Sequence, residues 1–250
     1  MELQVNTSKN DETAKQLGDL SYFEEGEIAI IRFNELGNKV NTLNSRMLPQ
    51  MEEVLTKIEK SQHIKAAVIL SSKKDCFVAG ADIKELKNAT SSDQVMKISM
   101  AGQKIFTRLQ KLNKPVVAGI HGACMGGGLE LALACHYRVA SLSDKTLFSL
   151  PEVLLGLLPA AGGTQRLPKL IGYEKALSMM LTGSPVKAIK AKKLGIVDYI
   201  TTEAGLEFVA IEAARKLTLK PVKRKLKLKG VVGFLEKTKV GRDVLFSKAL

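Results

Sequence analysis

At 250 residues, 45% apolar and 25% charged, the chain is long enough to bury an ordinary core and too apolar for a disordered or collagen-like polymer. Three cysteines (Cys76, Cys124, Cys135) without a CxxC pair and three scattered histidines (His63, His121, His136) exclude a disulfide framework and offer no zinc or haem spacing, so no metal is expected. The net charge of +13 sits at one end, where residues 215–250 carry twelve Lys or Arg against two acids.

Residues 1–20 are polar and are expected to be a flexible lead-in. Residues 22–33 predict a hairpin turning at Gly26, and 34–41 a polar turn. Leu43, Met47, Met51, Val54 and Ile58 recur at three and four, which predicts an amphipathic helix over 44–60 with Pro49 in its early turns. A buried strand follows at 66–71, then a turn-rich loop at 75–80, a short helix at 82–86 and a long one at 92–112. The strand at 115–120 leads through a glycine-dense elbow at 122–128 into an apolar helix at 129–135. Strands are expected at 137–140, 146–148 and 196–200, and helices at 165–171, 173–181, 187–194 and 203–217. This alternation argues for one α/β domain over 21–220, followed by a basic helical extension over 221–250. No apolar run reaches the roughly 20 residues of a membrane span and no signal-peptide core follows Met1, so a soluble protein is expected.

Three stretches combine glycine bends with carboxylates. In Phe77-Val78-Ala79-Gly80-Ala81-Asp82-Ile83-Lys84 a glycine leads into a helix start, which leaves outward backbone N–H groups suited to an oxyanion, although an ordinary turn reads equally well. In Gly122-Ala123-Cys124-Met125-Gly126-Gly127-Gly128-Leu129-Glu130 three successive glycines point to close backbone approach or positive φ. Neither a Walker loop nor a dinucleotide GxGxxG is present there. Glu130 lies in an apolar helix, so it needs a partner or a raised pKa. Glu152 stands between apolar neighbours in 150–159, where the plain alternative is a rim residue facing water. Two isolated glutamates of this kind suit general acid and base chemistry at neutral pH. Cys124 and Cys135 are expected in the core, and His121 has no nucleophile beside it in sequence.

The strings 77–84, 122–135, and 151–156 through Gly162-Gly163-Thr164-Gln165-Arg166-Leu167, in that order and spacing, resemble the signatures of the enoyl-CoA hydratase (crotonase) family. Val40-Asn41-Thr42-Leu43 and the basic continuation after Pro221 are more like the amino-terminal part of multifunctional fatty-acid β-oxidation α-subunits, which would make the chain a fragment or a relative without the dehydrogenase part. The resemblance implies a spiral of repeated ββα turns with a C-terminal helical region. It implies an oxyanion hole from the N–H groups of Ala81 and Gly127, and catalytic carboxylates Glu130 (base toward water) and Glu152 (proton at C2). The implied substrate-binding set is Ala79, Ala81, Asp82, Ile83, Lys84, Gly126, Gly127, Pro151 and Ala160. The implied substrate is an acyl-CoA thioester, coenzyme A being part of it and no separate cofactor being needed. Trimers, pairs of trimers or a β-oxidation complex are the implied assemblies. The alternatives are a Δ3-Δ2 enoyl-CoA isomerase, needing the same oxyanion hole and only one acid, and a hydratase-like binding subunit with a basic interaction tail.

The family usually has glycine where this chain has Ala160, and a positive φ there would cost an alanine about 1 kcal/mol or more. The tail run 223–229 alternates lysine or arginine with leucine but has no aromatic to stack bases, so at most weak contact with anionic surfaces and no specific nucleic-acid binding is expected. No Arg-rich, acid-poor targeting segment opens the chain, so a cytoplasmic location is expected, with a processed mitochondrial matrix protein as the alternative.

Overall fold

The computed structural model describes residues 15–220 and 238–247. Its strands are β1 (Lys15–Gln16), β2 (Leu20–Glu25), β3 (Ile28–Phe33), β4 (Ala66–Ser71), β5 (Cys76–Val78), β6 (Val116–Ile120), β7 (Ala123–Met125), β8 (Tyr137–Ser141), β9 (Leu147–Ser149), β10 (Val186–Lys187) and β11 (Tyr199–Thr201). The helices are α1 (Met47–Lys60), α2 (Ile83–Asn88), α3 (Ser92–Gln110), α4 (Gly127–Ala134), α5 (Gly163–Ile171), α6 (Tyr173–Thr182), α7 (Ala188–Leu194), α8 (Leu206–Leu219) and α9 (Lys239–Ser247), with a 3-10 turn at Pro151–Leu155.

From β4 to β9 successive strands alternate between two sheets. One runs β1-β2-β3-β4-β6-β8-β11 and is parallel from β3 onward, while the other runs β10-β9-β7-β5. Each turn of the spiral places one strand in each sheet: β4 then β5, β6 then β7, β8 then β9. This is the expected crotonase-like α/β spiral of ββα turns. The main core lies between the sheets and takes in the buried face of α1 (Met47, Met51, Val54, Leu55, Ile58). Helix α8 covers the outer face of β4, β6 and β8 through Leu206, Ala210 and Ala214.

Local chemistry explains most boundaries. Gly26 takes φ +58° at the tip of the β2–β3 hairpin. Helix α1 begins at Met47, three residues after the expected start, where the Met47 N–H donates to the Asn44 side chain (3.0 Å). The expected lead-in is shorter where it is described: β1 pairs with β2 and Leu20 is fully buried. Of the expected basic extension, 221–237 lies outside the described residues and α9 is helical.

Two short strands depart from the sequence reading. Residues 75–80 were expected as loop and 122–128 as an elbow, yet Cys76–Val78 and Ala123–Met125 pair with each other in parallel. Three residues carry too little local signal to define a strand, and the partner strand supplies it. The last strand is Tyr199–Thr201 and not 196–200, because Ile196 and Val197 pack in the core as loop.

The end of α4 is tied down by Arg138, 1% exposed on β8. It donates to the carbonyls of Ala132 (3.1 Å), Cys135 (2.8 Å) and Ile196 (2.6 Å) and to the Asp198 carboxylate (3.2 Å). Replacing it with an apolar side chain strands these acceptors in the interior. Arg138→Met is expected to lower stability by about 3–5 kcal/mol, read as a shift in the urea midpoint.

Candidate active site

Two peptide N–H groups meet where the loop after β5 passes the start of α4. Leu43 forms a parallel bridge to Ala81, donating to the Gly80 carbonyl (2.7 Å) and accepting from the Asp82 N–H (3.1 Å). Both bonds flank Ala81, so the Ala81 N–H points to the other side, toward α4. Gly127 opens α4, where the first N–H groups have no intrahelical acceptor. A Cβ on Gly127 would lie 3.7 Å from the Ala81 nitrogen and 2.8 Å from Leu43 Cδ1, so the start of α4 packs against the Ala81 peptide with no room for a side chain. Gly80 (φ +115°) and Gly126 (φ +51°) make the two bends that bring these peptides together.

The two glutamates flank the same bend. A Cβ on Gly126 would meet Glu152 Oε1 at 3.1 Å, and one on Gly127 would meet Glu130 Oε2 at 3.9 Å. Glu130 is 2% exposed. Its Oε1 accepts the N–H groups of Ala161 (2.8 Å) and Gly163 (2.7 Å). Burial raises its carboxyl, and those backbone hydrogen bonds and the Arg166 charge oppose the rise. Glu152 lies in the 3-10 turn, and its Oε2 is buried without a hydrogen-bond partner. Burial, with a smaller contribution from the Glu130 charge, pushes its carboxyl up to about 7. The environments therefore separate the pair: Glu130 has donors for its charged form, and Glu152 is poised to hold a proton near neutrality.

The remaining expected site residues take varied places. Ala79 donates its N–H to the Asn41 carbonyl (2.8 Å), which anchors the loop carrying Ala81. Asp82 caps α2 by accepting the Lys84 N–H (2.8 Å), and Ile83 and Lys84 are exposed. Pro151 opens the turn holding Glu152. Ala160 is exposed, and no described non-glycine residue has a positive φ, so of the two cases open at that alanine the unstrained one holds. Its carbonyl accepts from Gln103 Nε2 (2.6 Å) and Ser99 Oγ (3.3 Å) on α3.

Sequence reasoning missed Leu43, Ala161 and Gly163. The last two act through main-chain N–H groups, which residue identity does not reveal, whereas Gly163 carries a signal in that a Cβ there would meet Glu130 Oε1 at 3.0 Å. His121 does contact a hydroxyl, Ser141 Oγ (2.8 Å), but Ser141 is fully buried and bonded to Thr146 (2.7 Å), which makes the group a brace at the sheet end. Cys124 and Cys135 are buried, and burial raises both thiols, Cys135 to about 12. Among the described residues no group of three or more His, Cys, Asp or Glu could hold a metal ion, and no helix is long and apolar enough to cross a membrane. A cavity of 1380 Å³ lies on the far side of the 159–163 loop, lined by Gln103, Ala160, Ala161 and Arg166 but by neither glutamate.

Spiral fold, glycine bends and paired carboxylates together define a crotonase-like protein. Residues 24–240 match the family described as Enoyl-CoA hydratase/isomerase, and the chain belongs to that family. It is 48% identical over 224 residues to the fatty acid oxidation complex subunit alpha of Shewanella amazonensis, covering 89% of this chain and 31% of that protein. The corresponding Idiomarina loihiensis subunit is 43% identical over 222 residues, with 89% and 31% covered. The chain thus spans under a third of the length of these curated relatives. The enoyl-CoA hydratase of Geobacillus kaustophilus superposes with a TM-score of 0.78 at 27% identity, covering 95% of this chain and 84% of that one. That of Bacillus anthracis gives 0.76 at 28% identity, with 92% and 89% covered.

Gly126 is the position where backbone conformation and site chemistry meet. Gly126→Ala is expected to cost about 1–3 kcal/mol in chemical denaturation because an L side chain is strained at its φ. The added methyl also presses on Glu152 Oε1.

Proposed function

We propose that the chain is an enoyl-CoA hydratase, adding water across the C2=C3 bond of 2-enoyl-CoA thioesters in fatty-acid β-oxidation. The observation that supports this reading is the packing of the Ala81 peptide and two carboxylates around the Gly126–Gly127 bend that opens α4. The N–H groups of Ala81 and Gly127 donate to the thioester oxygen, where negative charge gathers as water attacks C3. One such donor contributes about 3–4 kcal/mol to lowering the barrier. Glu130, supplied with donors for its charged form, takes a proton from the attacking water. Glu152, which keeps its proton to about pH 7, delivers it to C2. The product is the 3-hydroxyacyl thioester. Addition of water is redox-neutral and every proton passes through a carboxyl group, so the reaction balances without a separate cofactor.

In the same reading Ala79 to Lys84, with Gly126, Pro151 and Ala160, lie along the bound acyl-CoA, and the exposed Lys84 ammonium meets a phosphate of the CoA. Isomerisation needs one acid, so two carboxylates flanking the same bend favour hydration. The names of the curated relatives support a place in a fatty-acid oxidation complex, for which we propose a cytoplasmic location.

Glu130→Gln is expected to lower crotonyl-CoA hydration by roughly 10²–10⁴-fold with thioester binding retained, followed spectrophotometrically. Unchanged turnover overturns the assignment. Glu152→Gln is expected to stop exchange of the C2 proton in deuterated water. Because Glu130 must be ionised and Glu152 protonated, kcat/KM should be bell-shaped, with its alkaline limb near pH 7.

A further inference from the structure

The loop that holds Glu130 is itself held from behind. Arg166, half-buried on α5, donates from Nη1 to the Ala161 carbonyl (2.8 Å), from Nε to Gln110 Oε1 (2.8 Å) and from Nη2 to Thr107 Oγ1 (3.4 Å). Its guanidinium lies so close to Gly162 that a Cβ there would overlap Nη1, and Gly162 has φ +106°. One peptide further back, Gln103 and Ser99 hold the Ala160 carbonyl. In a trans peptide the C=O and N–H point in opposite directions. Drawing the Ala160 carbonyl outward therefore turns the Ala161 N–H inward, onto Glu130, and the Ala161 carbonyl that Arg166 holds shares its peptide with the Gly162 N–H, which also bears on Glu130.

We propose that Arg166 is a positioning residue for Glu130: its guanidinium locks the 160–163 loop so that the Ala161 and Gly163 N–H groups grip one carboxylate oxygen, and it sets a cation behind that carboxylate. This rests on the hydratase reading for its kinetic consequence and on geometry alone for its structural one. Burial opposes the charged form of Glu130, and the Arg166 charge counters it. Few other charges compete. Glu152 approaches from the 3-10 turn, β5 and β7 contribute the buried thiols Cys76 and Cys124, and α3 pairs Lys104 with Glu52 and Arg108 with Glu59.

Two substitutions separate the fork from the charge. Arg166→Met removes both, and Arg166→Lys keeps the charge while losing the planar fork. In crotonyl-CoA hydration by the full chain, Arg166→Met should lower kcat by about 10²-fold, with KM within about twofold. Its acid limb should move up by about one pH unit, because loss of a nearby cation raises a carboxyl. Arg166→Lys should leave the limb in place and still lose kcat. In a Glu130→Gln background Arg166→Met should cause no further loss. Carbon-13 carboxyl NMR of glutamate-labelled protein, with the Glu130 signal assigned by its loss in Glu130→Gln, reads the same titration without turnover. If the parent chain shows no hydration, the functional reading fails while the NMR shift still tests the clamp. Should Arg166→Met not fold, Arg166→Lys decides: a preserved Glu130 titration with lowered kcat supports the proposal. An unmoved titration in Arg166→Met, or kcat within about threefold of the parent in either variant, overturns it.

Discussion

A carboxylate removed from water needs donors aimed at it, and the two N–H bonds from Ala161 and Gly163 to Glu130 Oε1 are the interaction around which this site is arranged. They come from a loop that is distant in sequence and reaches α4 only because β8 and β9 carry the chain back beside β7. The same loop ends at Gly163, where α5 begins. One short segment therefore terminates a turn, starts a helix and solvates a buried charge.

The glycines beside it answer a second demand, which is proximity. Gly126 and Gly127 keep side chains out of the space shared by Ala81, Leu43 and the two acids, and a Cβ on Gly128 would overlap the Val78 carbonyl. Helix α4 can thus start against β5 with its first N–H groups directed at the gap. Backbone dipoles fixed in a packed interior need no reorganisation when charge develops, which is how such a site stabilises an oxyanion. The anchors are ordinary structural groups, with Arg138 at the far end of α4 and the Leu43 bridge at the near end.

The separation of the two carboxyl groups follows from this asymmetry of donors. Glu130 is the more deeply buried, yet it is met by peptide N–H groups and faces a cation, whereas Glu152 has an oxygen with no partner. Burial raises both carboxyls, and at Glu130 the peptide N–H groups and the Arg166 cation counter that rise.

Much of this could be read along the chain. Period-3.6 apolar spacing marked α1, β-branched residues marked β3, a buried apolar run marked β4, and the two lone glutamates beside glycine bends marked candidate chemistry, because each signal is local. Other features belong to the folded molecule alone. Strands β5 and β7 exist because they pair with each other. Ala160 turned out to be unstrained because its φ is negative. The donors to Glu130 are main-chain N–H groups 31 and 33 residues away. Residue identity determines which groups can titrate and where the backbone can bend. Only tertiary packing decides which peptide N–H meets which oxygen, since every non-proline residue offers the same donor and long-range geometry alone selects among them.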